Sequence, residues 1–473
     1  MSALLGAPFE SYGDAFSVSD AGMVRILDRA KLRERAIYGL VTAAVFEADP
    51  ARRSAVRWVI RALAQESGIV PASIQSLYEA MGRGEVSGFT VPAVNIRGLT
   101  YDSTRAVFRA MTAGSVGPVI FEIAKSEIGY TEQRPDEYAV VILAAAIREG
   151  YTGPVFIQGD HFQINAKKFG ADPAGEVSTL KAIAREAVEA GFYNIDIDAS
   201  TVVDLSKGTI EEQQFNNSHI TAEMTKFIRG LEPKGVTVSI GGEIGEVGGK
   251  NSTVEELSAF MDVYRRELGA GIKGISKISV QTGTSHGGVV LPDGTVAKVK
   301  LDFGTLESLS KAAREKYGLS GAVQHGASTL PDDAFGRFPE TGTSEVHLAT
   351  GFQNMIYEHP RFPAALKEKA YDWCRANCAS ERKQGETEEQ FLYKARKKTF
   401  GPFKKEMWDL PAEIRGAIGA DLEAKFRFLF DKLRVVGTRD VVGRIVKPVS
   451  APLSRPTGEA KGGVAIGRDE PGE

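Results

Sequence analysis

The sequence predicts a (β/α)8 barrel, the TIM barrel, with helical segments added at both ends. Eight short β-branched runs recur between residues 88 and 356, and helix-forming stretches separate most of them. A further observation removes the competing doubly wound sheet. That fold would carry a Gly-rich phosphate turn after its first strand, and "VNIRGLTYD", starting at Val94, has no such fingerprint.

Residues 1–87 read as a helical N-terminal extension. "VRILDRAKLRERAIYGLVTAAVFEA" and "RRSAVRWVIRALAQESG" space apolar residues three and four apart, with charges between them. The texture changes at 88, where "GFTVPAVNI", "GPVIFEIA", "GPVFIQGDH" and "NIDIDAS" give the first four strands. "GVTVSIGGE", "SKISVQTG", "SGAVQHGAS" and "SEVHLATG" give the last four, and the barrel runs to 356. "DEYAVVILAAAIREG" and "STLKAIAREAVEAG" are connecting helices. Residues 357–448 lose the strand rhythm and form a helical C-terminal extension, whose aromatics at helical spacing pack rather than bind a cofactor. Residues 449–473, rich in Pro, Gly and charge, are expected to be a disordered tail.

Composition narrows the function. Of 473 residues, 42% are hydrophobic and 25% charged, an ordinary globular balance. A formal net charge of −3 supplies no basic field for nucleic acid or an anionic membrane. No run of eighteen apolar residues suggests a span, and "MSALLGAPFESYGDAF" lacks a secretory pattern. Cys374 and Cys378, four apart, read as structural thiols of a reducing cytoplasm.

In such a barrel the chemistry sits at the C-terminal ends of the strands. The third strand ends in Asp160-His161, the fourth in Asp198 and the fifth in Glu243; the sixth leads to His286 and the seventh ends in His325. Three of the chain's six histidines therefore fall at functional strand ends. Three neutral imidazoles are the ligand set of a catalytic zinc, and they also accept cobalt or manganese. His219 reads as a surface residue and His359 as part of a turn, while His347 lies inside the eighth strand.

The ordered motifs "GDH", "IDIDAS", "GGEIGEVGG", "TGTSHGG", "QHGAS" and "VHLATG" resemble the class II, zinc-dependent fructose-bisphosphate and tagatose-bisphosphate aldolases over residues 88–356. The resemblance implies a lyase of carbohydrate metabolism that cleaves or forms a C–C bond in a phosphorylated ketose, as in glycolysis, through a metal-stabilised enediolate. It makes His161, His286 and His325 zinc ligands, with Asp198 and Glu243 behind the metal. Asp160 becomes the acid/base on the hydroxyl beside the scissile bond. Gly287, Gly326, Ser328, Ala349 and Thr350 become the phosphate pocket, and Asn95 and His347 substrate contacts. A monovalent cation and a homo-oligomer (dimer or tetramer) are also implied. Amphipathic aromatics such as Trp373, Phe391, Tyr393, Phe400, Phe403 and Trp408 are expected to bury surface on the barrel or between subunits.

Some positions depart from the family. The mobile-loop glutamate is replaced by Asn251, with Glu255 and Glu256 following. His347 replaces an asparagine, Glu122 an amide and Ala124 a serine, although Lys125 and Ser126 follow within reach of a phosphate. Two alternatives stay open: a sugar-phosphate isomerase or epimerase using the same metal–enediolate site, and a non-catalytic aldolase-like subunit. A Schiff base on Lys277 is the weaker chemistry, because the histidines already supply an electrophile.

Overall fold

The computed structural model describes residues 11–19, 22–245, 249–283, 291–292, 301–453 and 463–467. A hairpin of β1 (Phe16–Val18) and β2 (Val24–Ile26) comes first. The main sheet contains β3 (Ile69–Ala72), β4 (Val91–Asn95), β5 (Ile120–Ala124), β6 (Gly153–Gln163) and β7 (Asn194–Asp198). It continues with β8 (Ser239–Glu243), β9 (Lys277–Val280), β10 (Ala322–Gln324) and β11 (Glu345–Leu348). Strands β4 to β11 pair in parallel in chain order and β11 returns to β4, so eight strands close into a barrel. Seven of them lie within the β-branched runs read from the sequence, and β6 extends two residues past its run, to Gln163. Both faces of these strands are covered, inside by the packed barrel and outside by helices, which is why the runs are nearly continuous in apolar and small residues.

Local signals set the helix ends. Pro135 opens the helix Pro135–Glu149, and Gly150 ends it at φ +67°. Asp172 caps Pro173–Glu189 by accepting from the Gly175 N–H, and Asp302 caps Phe303–Tyr317 by accepting from the Thr305 N–H.

The first 87 residues hold more than helices. β3 joins the sheet as a short extra strand beside the early half of β6, Ile69 opposite Gly153 and Ala72 opposite Phe156. Beyond Gln158, β7 takes over that same edge of β6. Asn194 makes the seam. Its Oδ1 accepts from the Ile74 N–H (2.9 Å), and its Nδ2 donates to the carbonyls of Ala72 (3.2 Å) and Ile157 (3.0 Å). A four-residue run containing Pro71 gave little strand signal, since proline is tolerated only at a sheet edge.

The extensions pack on the barrel's outer helices. Arg57 and Arg61 of the helix Pro50–Glu66 pair with Asp136, at 3.2 and 2.6 Å. At the other end of the chain, Trp408 stacks on Tyr101 and donates to the Thr42 hydroxyl. Phe400 lies against Gly98, where a Cβ would come within 2.1 Å of its ring. Phe391, Phe400, Phe403 and Trp408 are all buried within this one chain, so these aromatics supply no argument for an oligomer. Cys374 and Cys378 are buried thiols that are not joined in a disulfide. No helix among the described residues is long and apolar enough to cross a membrane.

Candidate active site

The site begins with an irregularity in β6. Successive strand residues point to opposite faces, so Asp160 and His161 can share the interior only where the backbone turns. The β6–β7 register shifts between Gly159 and Phe162, and His161 itself adopts φ +37°. Such a conformation is costly for a residue with a Cβ and clusters at functional sites. Gly159 has a different reason to be glycine: a Cβ there would lie 2.5 Å from the Phe162 ring.

His161 Nδ1 lies 3.3 Å from Asp198 Oδ2 at the end of β7 and 3.3 Å from Glu243 Oε2 at the end of β8. Two facing carboxylates assign the proton to Nδ1 and the lone pair to Nε2. Burial disfavours the Asp198 carboxylate, but hydrogen bonds from His161, Ser200 and Gln163 hold its pKa below the ordinary value. The His325 ring stands edge-on to His161 with centroids 4.1 Å apart, and its Nε2 is 3.1 Å from the Ser279 hydroxyl. One ligand atom from each of Asp160, His161 and His325 falls within 4.8 Å of the others, a donor set that suits a divalent metal.

A cavity at the C-terminal mouth is lined by Asn95, Arg97, Glu122, Asp160, His161 and His325, and by Gly326, Ser328, His347, Ala349 and Thr350. Asn95 is oriented by Glu127, which accepts from its Nδ2 at 2.7 Å. The same carboxylate accepts from Arg97 Nε at 2.6 Å, and Arg97 Nη1 donates to Gln353 at 3.1 Å. Gly326 has φ +66°, and the Ser328 hydroxyl accepts from the Gly351 N–H at 3.1 Å, tying this turn to the start of the helix Thr350–Tyr357.

Beneath the cavity the interior is charged. Lys277 of β9 lies 2.6 Å from Glu345, 2.8 Å from Gln158 and 2.9 Å from Asp196, all buried. Burial opposes ionisation of Glu345, but Lys277 and His347 overcome it and bring its pKa to about 2. Burial, with Glu345 and Asp160 nearby, raises Asp196 to about 6 against the pull of Lys277. Glu122 is pushed up to about 8, by burial first and then by Asp160. Lys277 is therefore a paired ammonium, a poor nucleophile. Gly241 of β8 makes room for the pair: a Cβ would meet Asp196 Oδ1 at 2.3 Å and Lys277 Cε at 2.9 Å. Gly241→Ala is expected to destabilise the fold by about 1–3 kcal/mol, the usual cost of overpacking, measured by denaturant unfolding.

The cavity thus gathers Asn95, Asp160, His161, His325, Gly326, Ser328, His347, Ala349 and Thr350. Asp198 and Glu243 stand behind His161. His286 and Gly287 lie outside the described residues. Lys125, read as within reach of a phosphate, instead donates to Glu176 (2.9 Å) and the Gln163 carbonyl (2.8 Å) deep in the wall. Glu256 closes a capping box with Thr253 and pairs with Lys250, while Asn251 donates to Asp302 at 3.2 Å. The sequence reading missed Arg97. The signal was present: Asn95 and Arg97 are two apart at a strand end, which puts both on one face.

The family model for class II fructose-bisphosphate aldolase matches residues 75–409. No curated protein matches the chain by sequence. Among similar solved structures, a "probable tagatose 6 phosphate kinase" from Sinorhizobium meliloti 1021 is 16% identical at TM-score 0.52, over 78% of this chain and 96% of that one. A fructose-bisphosphate aldolase from Campylobacter jejuni is 18% identical at TM-score 0.46, over 78% and 96%. The YdjI aldolase from Escherichia coli K12 is 16% identical at TM-score 0.40, over 72% and 98%.

Proposed function

The chain belongs to the class II fructose-bisphosphate aldolase family, and from that premise we propose that it is a zinc-dependent aldolase acting on a small phosphorylated ketose. The observation that carries this reading is the grouping of Asp160, His161 and His325 around one buried point at the barrel mouth. His161 and His325, with His286, would hold the metal, and Asp198 and Glu243 fix the His161 tautomer. When bound, the ion supplies Lewis-acid stabilisation of the enediolate charge that develops as the bond breaks.

The rest of the chemistry belongs to the chain. Asp160 takes the proton from the hydroxyl beside the scissile bond and returns it in the condensing direction. Gly326, Ser328, Ala349 and Thr350 hold the phosphate by backbone and hydroxyl donors at the N-terminus of Thr350–Tyr357, with the Arg97 guanidinium alongside. Asn95 donates its amide N–H to Glu127, which leaves its carbonyl oxygen to accept from a substrate hydroxyl. Both a lyase and an isomerase or epimerase must protonate the enediolate carbon. Solvent can supply that proton to a lyase, whereas moving a proton between carbons needs a second positioned group. The described loop after β8 places Asn251 on Asp302 and Glu256 in a helix cap, so a lyase is favoured.

The test is a retro-aldol assay on a panel of ketose mono- and bisphosphates with zinc-, cobalt- or manganese-loaded protein. Release of a triose phosphate from at least one substrate, lost on chelation and regained with metal, is the expected result. Metal-loaded protein that cleaves none of them while interconverting ketose phosphates would favour the isomerase. A protein inert to the whole panel would favour a non-catalytic subunit.

A further inference from the structure

We propose that Glu122, Asp160 and His347 form a second divalent-cation site beside the histidine site, with Asp160 shared between the two. The inference goes beyond the aldolase reading and does not depend on it. It starts from the tautomer of His347. Nε2 of this ring lies 2.6 Å from Glu345 Oε1, an oxygen already engaged by Lys277 and Gln158, so Nε2 carries a hydrogen and donates it. In a neutral imidazole the lone pair then sits on Nδ1. Yet Nδ1 is 2.9 Å from Glu122 Oε2 and 3.2 Å from Asp160 Oδ1. Three electron-rich atoms converge, and what joins them is either a proton, on Nδ1 or on the Glu122 carboxyl, or a cation in its place.

The spacing fits an ion. Donors about 2.0–2.2 Å from a tetrahedral metal lie about 3.3–3.6 Å from one another. The single ligand atoms of Glu122, Asp160 and His347 fall within 4.8 Å of each other, and all three residues are buried. Among the described residues Glu122 Oε1 and Asp160 Oδ1 accept no hydrogen bond, although both residues line the cavity, while Glu122 Oε2 accepts from Gln158 at 3.2 Å. Buried acceptors left in this way require an explanation, and a cation provides one. Glu345 completes the arrangement, because a metal-binding histidine regularly donates its other N–H to a carboxylate. The His161 ring is held likewise by Asp198 and Glu243.

Asp160 Oδ1 stands between the two rings, 3.2 Å from His347 Nδ1 and 3.8 Å from His161 Nε2. The His325 ring bridges them, 4.1 Å from His161 and stacked 4.1 Å from His347. A carboxylate so placed can bridge two ions, as in paired-metal sites with ions about 3.5–4 Å apart. Two oxygens and one imidazole suit manganese, cobalt or zinc. The competing occupant is a proton, either on Nδ1, which would make His347 an imidazolium, or on the Glu122 carboxyl facing it.

Metal stoichiometry separates the ion from the proton. Full-length protein stripped by a chelator is titrated with Co2+, followed by visible absorption, and with Zn2+, followed by elemental analysis after dialysis. Wild type is expected to bind two equivalents. Glu122→Gln and His347→Asn are expected to bind one tightly, with affinity for the second lowered more than about 100-fold, beyond the usual effect of an outer-shell change. His325→Ala should keep the second site and weaken the first. One equivalent in wild type with His347→Asn unchanged would overturn the proposal in favour of the proton. Two equivalents retained by both Glu122→Gln and His347→Asn would overturn it equally, by placing the second ion elsewhere. Near-ultraviolet circular dichroism checks the fold; if His347→Asn does not fold, the nearly isosteric Glu122→Gln carries the test. Failure of the aldolase reading would show differently, as protein that binds its metal normally and cleaves no ketose phosphate.

Discussion

Replacing His325 or His161 by alanine is expected to lower zinc affinity at the histidine site and cut retro-aldol turnover by about 10³–10⁴-fold, several kcal/mol of lost charge stabilisation. His325→Ala is the cleaner variant, because the hydrogen bond described for its ring goes to the hydroxyl of Ser279. His161→Ala also removes the N–H that faces Asp198 and Glu243. Asp198 keeps Ser200 and Gln163 as donors, but both carboxylates lose the N–H they share. His161→Ala should therefore lower thermal stability as well as activity. The measurements are zinc content after dialysis, cleavage rate and a melting curve for each variant. A variant that loses its zinc and still cleaves at the wild-type rate would remove the metal from the mechanism.

The barrel was legible because its signal is periodic. Eight runs of β-branched residues at regular spacing are what a closed parallel sheet demands of strands buried on both faces. β3 was not legible: four residues with an internal proline carry no periodicity, and their pairing depends on Asn194, far along the chain. The mouth residues were found from strand ends alone, since each strand delivers its last side chains to one rim. The charged layer beneath was read only in fragments. Asp196 sits between two isoleucines and Lys277 and Glu345 between a serine and an apolar residue, so each looks like an ordinary strand residue until the barrel closes and places the two carboxylates within about 3 Å of Lys277. Arg97 and His347 likewise gain meaning from partners on other elements, helices for Arg97 and strands for His347, which sequence spacing cannot supply.

Asp160→Ala is expected to keep zinc on the histidines at lowered affinity, because one oxygen donor is lost, while turnover at saturating zinc falls by about 10²–10⁴-fold, the contribution of a positioned acid/base. The backbone at His161 is why one residue does not substitute for the other. With φ +37° at His161 and a register shift across Gly159–Phe162, both side chains turn inward, one toward the metal ligands and one toward Glu122 and His347. Burial works against an ionised Asp160, but His161, His347 and Lys277 overcome it and hold its pKa well below the usual carboxylate range. The group is thus ready to accept a proton at neutral pH and below. Asn251→Glu is the companion variant. A carboxylate there loses the bond that Asn251 donates to Asp302 and is repelled by it, which releases the side chain from its present tether. If position 251 governs proton exchange at the enediolate carbon, solvent hydrogen should enter the ketose-phosphate fragment faster in Asn251→Glu, with cleavage itself little changed. If instead Asp160→Ala cleaves at the wild-type rate, Asp160 only supports its neighbours, and the proton must leave the substrate by another route.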